Sequence, residues 1–133
     1  LGLKTALTLK VPILSIMSVR KEECVGYNQS YRFSKATRLA QINVGYGDGY
    51  PLTHDSLPVF CKGHKLHTVG RCTMDFTAID IQDYDIKVGD MVEIMGENIL
   101  PIQLANQLHA IPYQILTNLK LDKWLKETIY EPA

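Results

Sequence analysis

Leu57-Pro-Val-Phe-Cys-Lys-Gly-His-Lys-Leu-His-Thr-Val69 reads as a β-hairpin. Leu57 to Cys61 and Leu66 to Val69 are apolar, β-favouring runs on either side of Lys62-Gly-His-Lys65. Gly63 in that connection supplies the positive φ that a tight turn needs. The flanking chain is of the same kind. From Leu7 to Val19, the residues Leu7, Leu9, Val11, Ile13, Met17 and Val19 share one face of a period-2 pattern, with Thr8, Lys10, Pro12 and Ser18 opposite. Pro12 lacks a ladder donor, so this strand is expected to bend there or to run along an edge. Further strands are predicted over Arg38 to Val44, Asp75 to Ile81 and Met91 to Met95, the last entered through Lys87-Val-Gly-Asp90. Turn signals at intervals of roughly ten residues fit a sandwich or barrel.

The C-terminal flank changes period. Ile102, Ala105 and Leu108 fall at helical spacing behind Pro101, which suits a first helical turn. Tyr113 to Leu119, after Pro112, predicts a second short helix, and the charged run beyond Lys120 has no clear pattern. The fold class expected is therefore mainly β, an antiparallel sheet or barrel-like domain with one or two short helices near the C-terminus. No low-complexity linker interrupts it, so residues 1–133 are taken as one domain.

Composition excludes several function classes. The 14 Lys and Arg balance 14 Asp and Glu, so a general nucleic-acid or anionic-membrane binder is not expected. The longest apolar stretch, Val11 to Met17, is far short of a span of about 20 residues. Three cysteines, Cys24, Cys61 and Cys72, are too few and of the wrong parity for a disulfide-stapled module, which points to reduced thiols in a cytoplasm. The start at Leu1-Gly-Leu-Lys4 resembles the interior of a longer chain.

Three clusters carry side chains capable of chemistry. Cys61, His64 and His67 have ligand-type side chains, but on a hairpin Cys61 and His67 lie on opposite arms with His64 in the turn, so no metal site is expected. Gly45-Tyr-Gly-Asp-Gly49 lacks the spacing and following helix of a dinucleotide loop. It echoes an earlier stretch, since Val25-Gly-Tyr-Asn-Gln-Ser-Tyr31 and Val44-Gly-Tyr-Gly-Asp-Gly-Tyr50 share V-G-Y-x-x-x-Y. That echo fits two strands ending in glycine turns; it fits equally a backbone that approaches a ligand while tyrosines supply hydroxyls. Gly70-Arg-Cys-Thr-Met-Asp75 reads either as a strand entry with Arg71 paired to Asp75, or as backbone N–H groups and Arg71 arranged for a carboxylate or phosphate.

Together these stretches resemble the C-terminal domain of the alanine racemases, a pyridoxal-phosphate-dependent family. The resemblance runs over roughly residues 1 to 118 and is carried by Leu3 to Lys10, Val25-Gly-Tyr27, Val44 to Pro51, Val69 to Asp75 and Ile111-Pro-Tyr113. It implies a preceding barrel domain, absent from this chain, whose lysine holds pyridoxal phosphate as a Schiff base. It also implies a homodimer in which this domain completes the partner's active site for interconversion of L- and D-alanine. Tyr27 would then be the second acid/base, opposite the barrel lysine. The Met74 N–H would bind the substrate carboxylate, Tyr46 would line the access corridor, Arg71 would lie further out, and Asp75 would stand beside Met74. Tyr113 would hydrogen-bond the cofactor phosphate.

Two bases on opposite faces suit racemisation, because the α proton leaves one face and returns to the other while the cofactor stores the electrons. A tyrosine, ordinarily near pKa about 10, needs cationic or hydrogen-bonding neighbours to act as a base. The isolated chain, with no lysine in a motif for the cofactor, is expected to be inactive. Two departures stand out: Leu52 occupies the place where the family commonly has Arg, and Leu119 to Lys126 replaces the family's R-V-P-R ending. A serine or lysine racemase, a related barrel-type decarboxylase, a non-catalytic β binding module and a dimerisation domain remain as rival readings.

Overall fold

The computed structural model describes residues 4–120 and 122, with the backbone alone of Tyr27. Its elements are β1 (Leu9–Val19), β2 (Cys24–Val25), β3 (Tyr31–Arg32), β4 (Thr37–Ile42), β5 (Pro58–Cys61), β6 (His64–Val69), β7 (Thr77–Asp80), β8 (Met91–Met95), α1 (Pro101–Gln107) and α2 (Pro112–Asn118). Six of the strands close an antiparallel barrel in the order β1-β4-β7-β6-β5-β8, and β2 pairs with β3 as a separate two-stranded sheet. The mainly β expectation, with two short C-terminal helices, holds. The tail beyond Lys120, Asp122 apart, lies outside the described residues.

The β5–β6 hairpin turns on Lys62 and Gly63, whose φ angles of 47° and 81° make a turn that matches the right-handed strand twist. The turn is tighter than expected from sequence: His64 is the first residue of β6, paired with Cys61 rather than placed in the loop. Cys61 points into the core while His67 is exposed.

Barrel closure depends on β1, which is long enough to serve two neighbours. Leu9 to Pro12 pair with β8, and Ile13 to Val19 pair with β4. Pro12 is the last residue on the β8 side, so its missing N–H falls at the handover rather than on a free edge. Immediately after it the register shifts between Ile13 and Ser15. That bulge reverses the alternation: Leu9, Val11 and Ile13 are buried, but Met17 is 60% exposed, while Ile16 packs against the core instead. Met17 is therefore corrected from the inward to the outward face.

Inside the barrel, Ile13, Ile42, Val59, Leu66, Ile79, Val92 and Ile94 are fully enclosed. Each such side chain stabilises the fold by roughly 1.5–3 kcal/mol on removal from water. A second, smaller cluster of Val19, Phe33, Leu39 and Val69 seats the β2–β3 sheet, with Val25 packed against it. Helix α1 begins at Pro101 and caps one end of the core with Leu104 and Ala105. Ile102 is 47% exposed, so it lies beyond the buried stripe that the spacing had assigned to it. Among the described residues no helix is long and apolar enough to cross a membrane.

Candidate functional site

The repeated V-G-Y makes two short turns of different backbone: Asn28 and Gln29 have positive φ in the first, and Tyr46 to Asp48 do not in the second. Gly26 leads into a 3-10 turn over Tyr27–Gln29, and Gly45 leads into another over Tyr46–Asp48. In the first, the Gln29 N–H donates to Gly26 O at 3.1 Å; in the second, the Asp48 N–H donates to Gly45 O at 3.0 Å. The second tyrosines diverge. Tyr31 is exposed and edge-on to Phe33, whereas Tyr50 is buried, its hydroxyl without a hydrogen-bond partner among the described residues and its pKa raised above the ordinary 10.0 by burial and, less, by nearby Cys72.

Both turns press on one segment, Gly70 to Phe76, which joins β6 to β7. A Cβ on Gly26 would sit 3.1 Å from the Arg71 nitrogen, and one on Gly70 would sit 3.2 Å from the Gly26 Cα, so two backbones touch where only glycines allow it. The Arg71 N–H then donates to Ser30 Oγ at 3.0 Å, tying the segment to the end of the Tyr27 turn. From the other side, the Tyr46 N–H donates to Thr73 O at 3.1 Å and the Gly47 N–H to Met74 O at 2.9 Å. Gly45 is needed for that approach, since its Cβ would stand 2.2 Å from Thr73 O.

This clamp determines where one N–H points. Thr73 C=O and Met74 N–H belong to a single peptide, and no peptide among the described residues is cis, so the two groups point in opposite directions. With Thr73 C=O held by Tyr46, the Met74 N–H faces away from the Gly45–Asp48 turn, and no partner within the described residues accepts from it. The Met74 side chain is 53% exposed beside it. A loop N–H fixed at its back and open in front can receive an oxygen anion.

The remaining residues singled out in the sequence fall around this point unevenly. Tyr46 is 44% exposed and lines a cavity of about 380 Å³ together with Tyr50, Leu52, Leu108, Gln114 and Lys120. Tyr113 is 75% exposed in the first turn of α2, adjacent to the Gln114 that lines the same cavity. Arg71 makes no ion pair with Asp75, which is exposed; the Arg71 Nε is buried without a partner among the described residues. The surface pairing of those two residues is thus not formed. Cys72 lies buried under the Tyr46 turn with its thiol directed at Pro51 O, and burial pushes its pKa up. Among the described residues no three His, Cys, Asp or Glu side chains gather as a metal would need. Reading from sequence overlooked Ser30 and Asp48. Asp48 Oδ2 accepts the Gly45 N–H at 3.0 Å, and the spacing of an acidic residue three after the turn's first residue was its signal.

Residues 6–123 match the family model described as "Alanine racemase, C-terminal domain". The chain belongs to that family. An alanine racemase from Marinobacter nauticus is 35% identical over 119 residues, which are 88% of this chain and 33% of that protein. A catabolic alanine racemase from Pseudomonas aeruginosa is 36% identical over 120 residues, covering 89% of this chain and 34% of its own length. Among solved structures, the biosynthetic alanine racemase from Pseudomonas aeruginosa superposes with a TM-score of 0.86 at 31% identity, covering 91% of this chain and 34% of that one. The Bartonella henselae alanine racemase with covalently bound pyridoxal phosphate gives 0.78 at 33% identity, covering 84% and 32%. The chain spans about a third of the length of the racemases it matches. In this member of the family the domain is a six-stranded barrel whose Gly70–Phe76 loop is gripped by two glycine turns.

Proposed function

We propose that this domain is the C-terminal part of a cytoplasmic, homodimeric, pyridoxal-phosphate-dependent racemase that interconverts L- and D-alanine. The cofactor-binding barrel lies in the remainder of a longer chain, and this domain completes the active site of the partner subunit. The observation that carries the reading is the clamped Met74 peptide, with an outward N–H and exposed Tyr46 beside it. Tyr27, first residue of the turn that abuts the same loop through Gly26, is the acid/base. The Met74 N–H receives the substrate carboxylate, Tyr46 lines the corridor, Arg71 stands further out and Asp75 beside Met74.

The donor set here suits one edge of pyridoxal phosphate and no more. Tyr113, exposed at the start of α2, can donate a phenolic hydrogen bond to a phosphate oxygen. When bound, the cofactor supplies an electron sink for the α carbon. This chain's own work is to hold the carboxylate at Met74 and to move a proton at the Tyr27 hydroxyl. The exposed aromatic and apolar groups Tyr46, Met74, Phe76 and Tyr113 are the surface that the partner's barrel covers, which excludes water from that proton transfer.

Tyr27→Phe in the full-length holoenzyme tests the assignment. Racemisation should fall by about 10²–10⁴-fold, the usual contribution of a positioned acid/base, with cofactor absorbance unchanged. Full activity in the variant would leave the domain a scaffold.

A further inference from the structure

We propose that Asp48 is a positioning residue for carboxylate binding: by closing the Gly45–Asp48 turn on itself, it sets the aim of the Met74 N–H. The inference rests on the assignment of that N–H to the substrate carboxylate.

The turn is a ring closed twice. Asp48 Oδ2 accepts the Gly45 N–H at 3.0 Å, and the Asp48 N–H donates back to Gly45 O at 3.0 Å. Gly45 has no side chain of its own to hold it, so without the Asp48 carboxylate its N–H end is released. With it held, the next two N–H groups leave the turn together and reach successive carbonyls, Thr73 O at 3.1 Å and Met74 O at 2.9 Å. Those carbonyls belong to the two peptides that flank Met74, so both its backbone planes are pinned by one turn. The Met74 N–H can swing only if Thr73 O leaves Tyr46.

A second tie leaves Asp48 in the opposite direction. Its own carbonyl accepts the Lys120 N–H at 3.0 Å, just past the end of α2, and a Cβ on Gly49 would collide with Asn118 O. The helix that begins with Tyr113 is therefore indexed to the same turn as Met74. Asp48 itself faces inward to Gly45 and does not compete for the substrate; its role is to act through Met74.

The test uses the full-length holoenzyme and propionate, which keeps alanine's carboxylate and methyl but lacks the amine that would react. Binding is read as a competitive inhibition constant and as the ¹⁵N–H shift of Met74 after selective methionine labelling, with Met74→Leu identifying the resonance. Asp48→Ala should weaken propionate and raise KM for alanine by about tenfold each, with kcat within about threefold. Asp48→Asn, which keeps an acceptor for Gly45, should restore both to within about threefold of wild type. If Asp48→Ala does not fold, Asp48→Ser, whose hydroxyl also reaches less far, carries the same expectation. A Met74 signal that moves on propionate binding in wild type and variant alike, with equal inhibition constants, overturns the role of Asp48 and leaves the carboxylate assignment standing. A wild-type Met74 signal that stays still at saturating propionate overturns the carboxylate assignment, and this inference with it.

Discussion

Replacing Gly45 by alanine is the sharpest probe of the clamp. The added Cβ would stand 2.2 Å from Thr73 O, 2.5 Å from Met74 O and 2.6 Å from the Met74 carbonyl carbon. All three are backbone atoms, so no rotamer change relieves the contact. The Gly45 φ of −149° is open to any residue, which makes the penalty one of contact alone. Thr73 O has to retreat by about 1.2 Å to reach an ordinary 3.4 Å separation. Added to the present 3.1 Å from Tyr46 N, that movement breaks the hydrogen bond, and the Gly47–Met74 bond with it. Two lost hydrogen bonds at about 1 kcal/mol each, with some overpacking strain, give a destabilisation of about 3 kcal/mol. Urea denaturation of the full-length protein measures it, with Gly63→Ala as the comparison. Gly63 has φ +81° and nothing within 4 Å of its absent Cβ, so only backbone strain is felt there, about 1 kcal/mol. A Gly45→Ala loss no larger than that of Gly63→Ala would mean the Thr73–Met74 loop yields freely and is not held by the turn.

Two other buried groups give independent expectations. Glu93, enclosed on β8, accepts from the Asn98 N–H at 2.7 Å, the Asn98 side-chain amide at 2.9 Å and the Ile99 N–H at 3.1 Å; Glu93→Ala removes all three bonds, orphans the buried Ile99 N–H and should lower stability by about 2–4 kcal/mol in chemical denaturation. Tyr50→Phe deletes a buried hydroxyl that has no partner among the described residues, so it should be neutral or stabilising by up to about 1 kcal/mol. Because burial raises the Tyr50 pKa in the folded state, its contribution is complete below the ordinary value of 10.0 and is lost as pH climbs beyond it. Thermal midpoints should therefore fall less steeply above pH 10 in Tyr50→Phe than in wild type; parallel curves would contradict this.

The strand set was legible because period-2 alternation and glycine turns are local signals, and β8 falls where Met91 to Met95 was expected. Met17 escaped because a bulge after Ile13 shifts the parity of everything beyond it, and a bulge has no signature in an uninterrupted apolar strand. Ile102 escaped because a helix of seven residues presents a narrow face, and the core chose Leu104 and Ala105. In the site, the motifs V-G-Y and G-R-x-x-M-D were visible as glycine-rich stretches, but their convergence was not. Gly26 and Gly70 are far apart in the chain and meet only because β6 delivers the second beside the β2–β3 sheet. Side-chain capping by Asp48 followed from the turn's spacing and could have been read; the Ser30 contact to the distant Arg71 N–H and the lack of an Arg71–Asp75 pair depend on how the loops meet and could not.

Closure of the six strands has a bearing on how anything larger can seat against this domain. An open sheet offers its margin, and a neighbour can extend it by pairing main chain to main chain with little regard for side-chain identity. A cylinder has no margin, because β1 gives half its length to β8 and half to β4. Recognition of the barrel must then be made through loop tips and side chains, where shape and chemistry discriminate one surface from another. For a domain that presents Tyr46, Met74 and Tyr113 outward, sealing the barrel's seam leaves exposed side chains such as these, rather than barrel main chain, to meet a neighbour.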